Sequence, residues 1–152
     1  MRKDYLRDYS TAAFNLYGKV GNVENYKKSL VEEIEHIKAS SGSGISKPTE
    51  SALIKAEEQI ELKIATIRDL EAVEKTLEEL KNTNIAMFNA VNDVYVKSSL
   101  KKKAIENAVI RTAKENFISE RTVYYYLKKA RRVFAYTRGL RIEIWEGSWL
   151  WI

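Results

Sequence analysis

Apolar residues recur every three or four positions along most of the chain, the spacing of α-helices that each bury one stripe. Tyr5, Leu6, Tyr9, Ala13, Leu16 and Tyr17 mark one side of a first helix, which Gly18 and Gly21 are expected to end. Asn22 can cap a second helix with the stripe Tyr26, Leu30, Ile34 and Ile37, and the two together predict a helical hairpin. The small, polar, Gly/Ser-rich segment 39–48 has the composition of a flexible loop. Pro48 and Thr49 then open the longest helix, whose stripe is Ile60, Ile64, Ile67, Leu70, Val73, Leu77 and Leu80.

Lys81 to Thr83 break that helix. Ile85, Met87, Phe88, Val91, Val94 and Tyr95 make the next apolar face, and Ser98 to Lys103 form a connecting loop. Ile105, Val109 and Ala113 belong to a helix ending near Asn116, with Phe117 and Ile118 in a turn. Ser119 can then cap a helix carrying Val123, Tyr126 or Leu127, Ala130 and Phe134 on one side. Gly139 has the place of a C-cap, and the tail after it holds all three tryptophans, with Ile142 and Ile144 alternating as on a strand. The expectation is an all-α chain: a helical N-terminal region over 1–82, a three-helix unit containing a helix-turn-helix over 83–140, and a Trp-rich tail over 141–152 that folds back.

Charge sharpens this division. Residues 1–95 hold 13 lysines and arginines against 16 aspartates and glutamates, net −3, whereas residues 96–152 hold 13 against 5, net +8. A concentrated cationic region attracts polyphosphate and releases its condensed counterions. The chain has no cysteine, which excludes disulfides and thiolate metal sites and suits a reducing cytoplasm. A charged start and the lack of any run of about 18 apolar residues predict neither signal peptide nor membrane span.

The outer face of the helix after Ser119 is where charge and spacing coincide. Ser119, Glu120, Arg121, Tyr124, Tyr125 and Lys128 lie at its start and outer side, and are the candidates for reading base edges in the major groove of double-stranded DNA. Arg121 is the choice for guanine, because its planar fork can pair with O6 and N7 together. Tyr124 and Tyr125 suit thymine methyls or phosphates. Lys101, Lys102, Lys103, Lys129, Arg131 and Arg132 are candidates for neutralising phosphates. No cofactor or metal is expected.

Ile118-Ser119-Glu120-Arg121-Thr122-Val123, followed by Leu127 and Lys129-Ala130-Arg131, resembles the helix-turn-helix of bacterial sigma factor region 4. The chain departs from that pattern at Phe117, where a glycine usually sits, and at Lys129, where arginine is commoner. Over roughly Tyr26 to Leu140 the layout is similar to the phage late-gene transcription regulators of the RinA and ArpU type. That resemblance implies a promoter-binding activator of packaging and morphogenesis genes, encoded by a phage or prophage and working in the host cytoplasm.

Other classes compete with this reading. In one, a helical protein-protein interaction module, the acidic N-terminal region is the interaction domain and the C-terminal unit docks on RNA polymerase or a packaging partner; the near-3.5 spacing of the long helix also suits a coiled-coil seam in a homodimer. A phage small terminase subunit also pairs a helix-turn-helix with helical assembly segments, usually in the opposite order. An enzyme is the weakest reading. His36 is the sole histidine on a charged helix, Glu32/Glu33, Glu57/Glu58 and Glu78/Glu79 read as solvated faces, and the SGSG glycines lack the lysine and strand of a phosphate loop.

Overall fold

A computed structural model describes residues 4–41 and 50–140, the side chains of 34–41, 50–57 and 59 excepted. The described residues are all-α, with no strand among them. In chain order the helices are α1 (Tyr5–Val20), α2 (Val23–Ser41), α3 (Glu50–Thr83), α4 (Ile85–Val91), a π-helical segment (Asn92–Val96), α5 (Lys102–Glu115) and α6 (Glu120–Arg138). The Trp-rich tail at 141–152 lies outside the described residues, as do 42–49.

Side-chain chemistry sets most boundaries. Asp4 accepts from the Arg7 amide at 2.9 Å to start α1, Asn22 from the Asn25 amide at 2.8 Å to start α2, and Asn84 from the Met87 amide at 3.1 Å to start α4. Gly21 (φ 90°) and Gly139 (φ 82°) stop α1 and α6 in backbone that glycine adopts without strain.

Several expectations need correction. Gly18 does not end α1. It lies inside the helix, where a β-carbon would overlap the Val96 carbonyl oxygen, so its lack of a side chain lets α1 approach the π-helical segment. The buried face of α1 is Ser10, Ala13, Phe14 and Asn15, which keeps Ala13 of the expected stripe, with Tyr17 packed at its edge, and is otherwise rotated from it. Phe14 has no polar atom and is fully buried, while Tyr5 is 75% exposed. Ala39 to Ser41 continue α2 and are not loop, and the stripe residues Ile34 and Ile37 are outside the described side chains. Lys102 and Lys103 stand in the first turn of α5, not in the preceding connection. On α3 only the latter part of the stripe is covered: Leu70, Val73, Leu77 and Leu80 are buried, and Ile60 and Ile64 are exposed.

The core joins both halves of the chain. Phe14 from α1, Val73 and Leu77 from α3, Val91 and Val94 from the α4 region, Val109 from α5, and Val123, Leu127 and Phe134 from α6 form one apolar cluster. Each such side chain contributes about 1.5–3 kcal/mol by leaving water. Phe14 stacks on Tyr95 at 5.9 Å and meets Phe134 at 5.6 Å between ring centroids. The looser π-helical winding is held from across the core, since the side-chain Nδ2 of buried Asn15 donates to the Tyr95 carbonyl at 3.1 Å and the Ser98 carbonyl at 2.8 Å. On the far side, Glu74 of α3 accepts from the Val23 amide at 3.3 Å, and Lys63 pairs with Glu33 at 2.6 Å, tying α2 to α3.

Candidate nucleic-acid interface

Four residues, Asn116 to Ser119, connect α5 to α6, and each has a defined local role. The Asn116 amide and its side-chain Nδ2 both donate to the Thr112 carbonyl, at 3.0 and 2.9 Å, and its Oδ1 accepts from Asn89 of α4 at 3.2 Å. The Ile118 amide donates to the Ala113 carbonyl at 3.0 Å. Between these anchors Phe117 takes φ 55°, the left-handed conformation. Ser119 is extended, and its Oγ accepts from the Thr122 amide at 3.1 Å, so the serine caps α6 as its position in the sequence predicts. Glu120 in the first turn faces the positive end of the helix dipole.

The amphipathic pattern of α6 then sorts its side chains. Val123, Leu127, Ala130 and Phe134 are buried, with Val133 and Ala135 beside them. The opposite side of the leading half leaves Ser119, Glu120, Arg121, Tyr124, Tyr125 and Lys128 exposed, with Tyr125 at 53%. Among the described residues, none covers Arg121 or Tyr125.

The candidates for phosphate contact separate into two groups. Lys101, Lys102 and Lys103 are exposed around the start of α5, where Lys101 makes no capping bond and no acid occupies the first turn. Three cations therefore surround unsatisfied amide donors at the positive end of a dipole, an arrangement that an approaching anion stabilises. Lys129, Arg131 and Arg132 are half-buried. Arg131 donates to the Tyr95 hydroxyl at 2.7 Å, which engages part of its guanidinium within the fold, and Lys129 holds its ammonium 4.9 Å from the Tyr125 ring centroid. Of the three, Arg131 is turned toward a neighbouring element, a distinction that helical spacing alone does not make.

Sequence reasoning did not include Phe117, Lys114 or Lys97 among the functional residues. Phe117 is 95% exposed, and its signal was present: a large apolar residue standing where the turn needs a positive φ. Lys97 lines, with Lys19 and Lys101, an open cleft of about 650 Å³ between α1 and the segment before α5. That cleft has no acidic lining residue. Among the described residues no group of three or more His, Cys, Asp or Glu is placed to hold a metal ion, and no helix is long and apolar enough to cross a membrane.

No protein-family model, no curated protein and no solved structure matches the chain.

Proposed function

We propose that this chain is a sequence-specific DNA-binding transcription regulator that inserts the leading half of α6 into the major groove. The observation that carries the reading is the exposed Arg121, Tyr124, Tyr125 and Lys128 surface, beginning two residues after a capping serine and backed by a fully buried stripe. A helix supported in that way presents a rigid row of side chains, and a rigid row discriminates base edges better than a loop. Lys101 to Lys103 supply phosphate contacts that set its register. The late-gene activator role rests on the resemblance of the Ile118 to Arg131 segment to sigma factor region 4, and on the RinA and ArpU layout.

Selection of bound fragments from the encoding genome, followed by anisotropy titration over a range of salt, tests the proposal. An enriched common motif, with affinity that falls linearly in log salt, is the expected result. Equal affinity for selected and scrambled duplexes, or binding indifferent to salt, overturns it.

A further inference from the structure

Phe117 combines two features that folding alone does not favour. Its left-handed backbone (φ 55°) crowds the β-carbon of any residue except glycine and, to a lesser degree, asparagine. Its ring is 95% exposed, so burial returns nothing for that strain. The turn is nonetheless fixed from both sides, by the Asn116 bonds to Thr112 and Asn89 and by the Ile118 bond to Ala113. Strained backbone held in place by its surroundings is a recurring property of binding sites.

Phe117 precedes the capping serine by two residues and Arg121 by four, a reach of at most about 14 Å of extended chain. Bases along one DNA strand repeat about every 3.4 Å, so a groove that holds Arg121 brings Phe117 within about four base steps. A phenyl ring neither donates nor accepts a hydrogen bond, which leaves phosphates and polar base edges without a partner in it. The apolar feature that the major groove offers is the C5-methyl of thymine.

We propose that Phe117 is a specificity residue of the same interface, its ring seated against a thymine methyl at the groove edge. The inference rests on the DNA-binding reading above and extends it to a residue outside α6. Exposed Lys114 and Arg121 flank the turn beside the equally exposed Glu115 and Glu120, so the draw on the duplex comes from the wider cationic surface of Lys101 to Lys103 and Lys128.

The test uses the full chain and its selected duplex, with thymines replaced one at a time by deoxyuridine, which removes only the methyl. At one thymine, the wild-type protein loses about fourfold in affinity, the worth of one buried methyl group. Phe117→Gly loses at least as much on the unmodified duplex and shows no further loss with deoxyuridine at that thymine, while Phe117→Trp keeps the sensitivity. Phe117→Gly and Phe117→Asn also melt higher, by about 2–4 °C, because the strain is relieved, so their weaker binding is not unfolding. Wild-type affinity in Phe117→Gly, as a ring serving a protein partner would give, overturns the inference. So does a deoxyuridine loss that persists at every thymine in that variant. Both results leave the DNA-binding reading standing, whereas a wild-type chain that binds no selected duplex overturns the two together.

Discussion

Arg138 donates from Nε to the Asp69 carboxylate at 2.6 Å, joining the last turn of α6 to the middle of α3. The Tyr9 hydroxyl of α1 donates to the same oxygen, also at 2.6 Å. Both members of the ion pair are about four-fifths shielded from water, at 19% and 18% exposure, so the bond is screened less than a surface pair. Asp69→Ala leaves two donors facing an empty acceptor and is expected to cost about 1.5–3 kcal/mol in urea unfolding. Added Arg138→Ala is expected to cost far less than it does alone, which a double-mutant cycle measures.

Alkaline pH is expected to weaken the fold through two tyrosines. Burial raises the pKa of Tyr9 above its ordinary 10.0, and the Asp69 carboxylate raises it further, with Arg138 opposing. Burial and the Glu74 carboxylate raise that of Tyr17. The folded state thus holds these protons more tightly than the unfolded chain. Their contribution is fully present below pH 10 and is lost as pH rises through the raised folded values. Urea midpoints measured from pH 8 to pH 11 test this, with a shallower alkaline decline expected for Tyr9→Phe combined with Tyr17→Phe.

Gly18→Ala reverses the usual helix rule. Alanine in a helix interior normally gains about 1 kcal/mol over glycine. Here the added methyl overlaps the Val96 carbonyl, which belongs to backbone and has little room to give. The expected result is a loss of about 1–3 kcal/mol in thermal unfolding.

Thr112→Val is expected to stabilise. The Thr112 hydroxyl is fully buried and has no hydrogen-bond partner, so it bears a desolvation cost that an isosteric methyl removes. A gain of about 1 kcal/mol in urea unfolding is expected, with DNA affinity unchanged.

On DNA, Arg121→Ala and Lys102→Ala separate base reading from phosphate contact. The first is expected to cost about 1–3 kcal/mol on the selected site and little on random duplex. The second weakens both alike and lowers the salt slope by about one unit. Competition titrations give the two ratios, and equal losses for Arg121→Ala remove its base-reading role.

Helix ends were the most legible part of the fold in the sequence. Asn22, Ser119 and Gly139 act through their own local chemistry, which needs no knowledge of distant residues. The rotation of α1 was not legible, because tyrosine counts as apolar in a periodic pattern yet keeps its hydroxyl near water, and Phe14 is the one large side chain of that helix that buries fully without a polar cost. Gly18 and Asn15 were hidden for a related reason: each answers to backbone about 80 residues away, at Val96 and at Tyr95 and Ser98. At the candidate interface, spacing separated the exposed Arg121, Tyr124, Tyr125 and Lys128 from the buried stripe. It did not mark Arg131 as a partner of Tyr95, since that pairing depends on how α6 lies against the π-helical segment.

The contact between Phe14 and Phe134 spans 120 residues of chain, the difference of their numbers. A ribosome adding about 5–20 residues per second takes roughly 6–24 s to travel that distance. Throughout that interval α1 lacks the Phe134 ring that, with Tyr95, encloses Phe14. Its maturation is thus deferred until α6 has been made, and until then the nascent chain relies on its polar faces to stay out of aggregates.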